Sequence, residues 1–502
     1  MKAASAVAMH AEAEPAPHDE ARERAQRGTR QLLVARACVV GFGFLASAIL
    51  TRVLGPAAYG IYGVVISQLL WLEMLMNAGV PSATAKLMAD GRHDQWQVER
   101  SARALLIVWS FVLLAISWVL APRVASLMRI EDGETLLRIA FLDLPLMAMF
   151  ISYDGSFNGR RQFSVLAAFQ VAYGVIKLAG ILVLIGLGIS VERVLVAYVL
   201  STGIVCAALV VRYRPRGFRP RWLVVREILA MTAPIGLYLV AGQVLLSLDL
   251  WSLKTLWTGE AEVVGQYVAS LNLSRVLMIV SGAQAGVVFA SVAWAVAVND
   301  TPRAQRHIQD ATRFAVIIAT AAWVLLALNA SEVLSLLYSR PYAAGQQFLP
   351  LQLAALATFA LLDVLAMSLM AAGRQWVPPI ALAATIPLAW LGNVLLIPRF
   401  GPIGAAASQL LGLLIAAGIV GAMAYRRFGK LIRWPTALRV LIAAGIVALA
   451  SVSWPVHGPL VVVKIALLGS LYLFVLFALR EITGADFQLL KQRPARVATG
   501  AT

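Results

Sequence analysis

This sequence is short of charge. Only 13% of its 502 residues are Asp, Glu, Lys or Arg, against about a quarter in a soluble globular protein, which excludes a large solvated surface. Cysteine is scarce too. Cys38 and Cys206 both fall in apolar runs, where they make neither a disulfide framework nor, by themselves, a metal site. The histidines (His10, His18, His93, His307 and His457) all fall in tails or between apolar runs. No HExxH, P-loop or Gly-x-Ser-x-Gly pattern occurs, so no cofactor is expected and an enzyme is disfavoured. Residues 1–30 lack an apolar stretch and are no signal peptide. Rich in Ala, Glu and Arg, they read as a disordered cytoplasmic tail.

What the chain has instead is apolar length. Hydrophobic residues make up 60% of it, and mean hydropathy is +0.80. Runs near or above ~18 residues, each enough for a transmembrane helix, recur from 31–53 to 459–480, about fourteen in all. Several exceed the ~20 residues a bilayer needs and must tilt, bend or protrude. The reading is an all-α polytopic membrane protein.

The net charge of +17 comes from 42 Lys and Arg against 25 Asp and Glu. In a soluble chain that would suggest nucleic acid; here the positive-inside rule is the simpler account, and no nucleic-acid partner is expected. With the N-terminus in the cytoplasm, 31 basic residues fall on the cytoplasmic side and eight outside, with Lys177, Arg275 and Lys464 inside spans. Both termini are then cytoplasmic.

Thr51-Arg52-Val53-Leu54-Gly55-Pro56-Ala57-Ala58-Tyr59-Gly60-Ile61-Tyr62 joins the first two spans. Gly-Pro cannot continue a helix, so the chain turns there. A looser copy, Thr258-Gly259 and then Val264-Gly265-Gln266-Tyr267, lies about two hundred residues on, again between apolar runs. Asn158-Gly159-Arg160-Arg161-Gln162 is likewise echoed by Ala372-Gly373-Arg374-Gln375. The Arg-rich loop 212–226 separates two halves of six spans. An even number makes them parallel repeats. The expected organisation is a tail (1–30), two six-helix lobes around a central cavity (31–216 and 217–430), an appended helix pair (431–482) and a cytoplasmic tail (483–502).

With these motifs the chain resembles the polysaccharide transporter family of Wzx-type oligosaccharide flippases. That family stands in the larger group holding MATE multidrug exporters and lipid II flippases. The resemblance is carried by residues 50–62, by Ala78-Gly79-Val80-Pro81-Ser82-Ala83, and by Leu396-Ile397-Pro398-Arg399-Phe400-Gly401-Pro402-Ile403-Gly404-Ala405-Ala406. It implies a bacterial cytoplasmic-membrane location and a lipid-linked oligosaccharide as cargo. Its implied partners are membrane lipids, a polysaccharide polymerase and a chain-length regulator. It also implies a cavity lined by spans one, two, seven and eight.

Ionisable residues inside spans are costly and mark cavities or partners. Arg275 lies about twelve residues, or ~18 Å, into span eight, beside a stripe of Gln266, Ser270, Ser274 and Ser281 at helical spacing. Its alternatives are a phosphate contact or a structural pair with a buried acid. Lys177, with Gln170 and Tyr173 on one face of span five, carries the same two alternatives. Arg52 at the outer end of span one is a substrate contact or a snorkelling residue, and Lys464 is read as snorkelling. The acids are Glu73, one turn from Asn77, and Asp143, Asp249 and Asp363. Each could carry a coupling proton or neutralise a buried cation. Gly282-Ala283-Gln284-Ala285-Gly286 reads as a close helix contact.

The resulting function is a flippase for polyprenyl-pyrophosphate-linked oligosaccharide. Its rivals are a drug or small-solute antiporter, expected to favour acidic and aromatic cavity residues, and a membrane glycan polymerase or ligase. The last resembles enzymes with a large catalytic outer loop, whereas the longest outer loop here is roughly 122–135.

Overall fold

A computed structural model of the chain describes residues 17–215, 217 and 219–483. Every regular element among them is helical. In order these are α1 (Pro17–Asn77), α2 (Val80–Ala89), α3 (Gln95–Leu127), α4 (Gly133–Phe141), α5 (Asp143–Gly159), α6 (Phe163–Leu187), α7 (Val191–Tyr213) and α8 (Trp222–Leu256). Then come α9 (Ala261–Ser274), α10 (Val276–Ala297), α11 (Thr301–Ala327), α12 (Ala330–Tyr338), a 3₁₀ stretch Arg340–Gln347, α13 (Leu349–Ala371), α14 (Val377–Phe428), α15 (Trp434–Ser453) and α16 (Leu460–Ala478). Helix α1 begins inside the tail expected to be disordered, whose Ala, Glu and Arg are good helix formers. The rest of that tail, and nearly all of the one expected at 483–502, lies outside the described residues.

Among the described residues, eleven segments are long and apolar enough to cross a membrane, where the sequence suggests fourteen. Two of the eleven, 53 and 52 residues long, fold back on themselves. In α1 the reversal is at Gly55 (φ 74°, ψ 169°), where the left-handed φ suits glycine and Pro56 has no N–H to give. Ser47 Oγ and Tyr59 Oη, twelve residues apart, are 2.7 Å from each other; a straight helix would hold their Cα atoms ~18 Å apart. In α14 the reversal is at Gly401 (φ 55°, ψ −133°), before Pro402. There Ser408 Oγ donates to the Ala389 carbonyl at 2.9 Å.

Three other expected spans are broken within their length. The second breaks at Ala78-Gly79, both at positive φ (33° and 83°), with Pro81 following. The fourth breaks between α4 and α5 at Leu142, and the eighth between α9 and α10 at Arg275. Asn77, Asp143 and Arg275 thus stand at helix ends inside the bundle. Such discontinuities recur at the binding sites of transporters, because a broken helix frees polar groups at depth.

Helices α1 to α7 pack mainly on one another, as do α8 to α14, and the second limb of α1 bridges the two groups. At one end of this limb Gly60 meets Gly265 of α9; a Cβ on Gly60 would stand 2.8 Å from the Gly265 nitrogen, and one on Gly265 would overlap the Pro56 carbonyl. About 27 Å away along the limb, Gly79 faces Ile235 and Ala78 packs against Gly236 of α8. Beyond it His93 Nε2 and Glu227 Oε2 are 2.9 Å apart. The two groups touch at both ends of the limb.

Helices α15 and α16 pack together and against α11. Buried Glu481 joins them, accepting from Arg439 Nη1 at 2.9 Å and Thr436 Oγ1 at 2.8 Å and pairing with Arg313 Nε at 3.0 Å. Two smaller expectations are corrected. Lys464 does not snorkel: it is buried and donates to the Ser451 carbonyl at 2.9 Å. Gly282 and Gly286 have open space where a Cβ would stand, so this stretch is not a tight helix contact.

Candidate functional site

Two cavities, of about 400 and 380 Å³, lie one after the other along the second limb of α1. The larger, chamber I, has Glu73, Asn77, Asp154 and Gln243 as polar lining. Chamber II lies toward Gly60 and takes its polar lining from Ser47, Tyr59, Tyr62, Ser67, Lys177, Tyr198 and Asn272. Leu70 and Arg275 line both. Arg275 therefore stands at the junction, on the break between α9 and α10.

Its guanidinium is placed by a relay of polar side chains. Ser47 Oγ lies 2.7 Å from Tyr59 Oη, Asn272 Nδ2 donates to Tyr59 at 2.8 Å, and Arg275 Nη1 donates to Asn272 Oδ1 at 3.5 Å. The nearby opposite charge is Asp249, whose Oδ2 accepts from Tyr267 at 2.5 Å. This acid lines neither chamber, so Arg275 keeps its donors for the cavity while Asp249 compensates part of its charge from behind.

Lys177 of α6 lines chamber II, its ammonium 3.6 Å from the centroid of the Tyr198 ring and 5.8 Å from that of Tyr173. Glu73 and Asp143 are the carboxyls acting on it, and they also face each other. Asp143 is fully buried, and the side chains facing its carboxyl are Thr202 and Glu73.

The remaining residues singled out by sequence lie elsewhere. Arg52 is exposed and donates to the Leu336 carbonyl at 2.6 Å, outside both chambers. Asp363 accepts from Tyr238 at 2.9 Å, also away from them. The polar stripe of α9 does not accompany Arg275. Gln266 donates to the Pro341 carbonyl, while Ser270 and Ser274 are buried and bond the carbonyls of their own helix. That face packs on the 3₁₀ stretch, where Gly345 comes against Ser270. The side chain of Ser281 lies outside the described residues.

Sequence reasoning passed over Tyr59, Tyr62, Tyr198, Asn272 and Asp154. One signal was available: Asn272 and Asp154 are polar residues inside expected spans. Asp154 accepts from Asn158 and Gln170, each at 3.2 Å.

The family model described as Polysaccharide biosynthesis protein matches residues 26–291, just over half of the chain. The chain belongs to this polysaccharide biosynthesis protein family. A search of curated proteins found no match. Among solved structures, the lipid II flippase MurJ in an inward closed conformation superposes with a TM-score of 0.71 at 14% identity, over 90% of this chain and 99% of that one. An inward-facing MATE multidrug resistance transporter of the MOP superfamily gives 0.67 at 14% identity, over 80% and 98%. A MOP superfamily transporter from Pyrococcus furiosus, described as having a binding pocket of reversed polarity, gives 0.60 at 15% identity, over 81% and 96%. At such identities the likeness is one of fold. This member of the polysaccharide biosynthesis family thus has the multi-span fold of MOP-type transporters and flippases.

Proposed function

We propose that the protein is a flippase carrying polyprenyl-pyrophosphate-linked oligosaccharide repeat units from the cytoplasmic to the outer leaflet of a bacterial cytoplasmic membrane. The observation that carries this reading is the position of Arg275, at the junction of two chambers between the two helix groups. An arginine there offers a planar fork suited to phosphate, and Lys177 adds a second cation within chamber II. The lipid tail stays in the bilayer while the charged head and sugars use the cavity. Residues 31–216 and 217–430 are the two lobes that rock about it, and the end bearing His93 and Glu227 faces the cytoplasm, with both termini. Polymer and surface polysaccharide assembly are the work of separate partners.

A second reading has one observation in its favour. Chamber I carries Glu73 and Asp154, and aromatic rings line chamber II, as a carrier of cationic solutes would. Leaflet accessibility of the lipid-linked unit in a deletion strain separates the two. A flippase loss leaves the unit assembled but hidden from a lectin added outside, and surface polymer disappears. An antiporter loss leaves the polymer intact and raises sensitivity to some cationic compound. Wild-type exposure of the unit outside in the deletion strain would eliminate the flippase.

A further inference from the structure

Glu73, Asp143 and Lys177 come from α1, α5 and α6 and act on one another electrostatically at the boundary of the two chambers. Glu73 lines chamber I and Lys177 lines chamber II, with Asp143 sealed off from both. The surrounding groups are Tyr173 of α6, Tyr198, Thr202 and Cys206 of α7, and Arg275 across chamber I. Thr202, whose hydroxyl lies 3.3 Å from the Tyr198 carbonyl, is also within hydrogen-bonding reach of Asp143, while Cys206 donates to the Leu146 carbonyl. Glu73 Oε1 is buried as well.

Two facing carboxyls in low dielectric do not both ionise; one proton between them turns repulsion into a hydrogen bond. With that proton the pair carries one negative charge, and Lys177 balances it. Lys177 is the member of the trio that faces chamber II, and it rests on the Tyr198 ring. An anion in chamber II competes for it.

We propose that an anionic pyrophosphate headgroup entering chamber II draws Lys177 away from the Glu73–Asp143 pair, and that the pair then takes up a second proton. The proton arrives from water through chamber I, where Glu73 is accessible, and adds to a carboxylate oxygen. No bond other than O–H is made. Anion binding and proton uptake are thereby linked, and the reverse holds on release. Arg275, which does not lose its charge, holds the anion but takes no part in the linkage. This inference rests on the flippase reading of the chambers.

The experiment is calorimetric titration of the full-length protein in nanodiscs with farnesyl pyrophosphate, in two buffers of different ionisation enthalpy at one near-neutral pH. The wild type should take up about one proton per molecule bound beyond what the ligand itself exchanges, and Glu73→Gln and Asp143→Asn should still bind and keep that excess, since each leaves one carboxylate for Lys177 to balance. Lys177→Met should lose that excess and bind about tenfold more weakly, as expected for one charged contact. Equal uptake in the wild type and Lys177→Met overturns the linkage and leaves the flippase reading standing. A wild type that does not bind farnesyl pyrophosphate removes both. Should the variants not fold, the infrared difference spectrum of the wild type decides. A protonated-carboxyl band that grows on binding supports the linkage, and an unchanged band overturns it.

Discussion

Gly60 and Gly265 touch backbone to backbone, closing one end of the chambers without any side chain between them. One turn on, Gly63 takes the side chain of Val268 against its backbone. Hydrogen bonds flank the contact: Tyr342 Oη donates to the Thr51 carbonyl at 3.0 Å, and Gln266 Nε2 to that of Pro341 at 3.0 Å. This closure rests on the absence of Cβ atoms, and it can be wedged open.

Gly265→Val should destabilise the closed arrangement by about 1–3 kcal/mol, the usual cost of overpacking. The test uses Tyr62→Cys as a reporter, with Cys38 and Cys206 changed to Ser. An impermeant maleimide added outside should label Tyr62→Cys slowly in the parent and several-fold faster with Gly265→Val. Equal labelling would mean that the glycine contact is not the closure.

Arg275→Ala should reduce export about tenfold or more at unchanged membrane levels, since a hydrogen bond to a charged group contributes roughly 1.5–3 kcal/mol. Arg275→Lys should keep part of it, because the charge remains while the fork is lost. Surface polymer in a complemented deletion strain is the readout. Normal export by the alanine variant would take Arg275 out of the site.

Orientation follows from the distribution of basic residues. Reporter fusions within 212–226 and 303–308 should report cytoplasm, and those at 54–58 and 254–260 the outside. An outside signal from 212–226 would break the arrangement of two parallel lobes.

The Gly-Pro turn at 55 was legible because no neighbour can alter what proline lacks. Arg275, Lys177, Glu73 and Asn77 were legible because charged or amide side chains inside an apolar run need a reason. Tyr59 and Tyr198 were not, since a tyrosine in a membrane span reads as one more aromatic until its ring is seen on a wall. The serine stripe misled for a related reason. Helical spacing identifies a face of α9 but not what covers it, and the cover is a 3₁₀ stretch some seventy residues later. The breaks at Leu142 and Arg275 lack a glycine, and only packing discloses them.

The break after Asn77 has a consequence for what fills the chambers at rest. Position 81 is proline, so the Asn77 carbonyl cannot receive the N–H that a continuing helix would send it. Both Asn77 and Pro81 line chamber I. In a bilayer that carbonyl has no solvent to turn to except what the chamber holds, so the chamber is wet before any cargo arrives. At ~30 Å³ for each water of the liquid, its roughly 400 Å³ corresponds to on the order of a dozen molecules. Cargo entry is then an exchange of solvent shells, in which a hydrated headgroup and a hydrated wall give up water together.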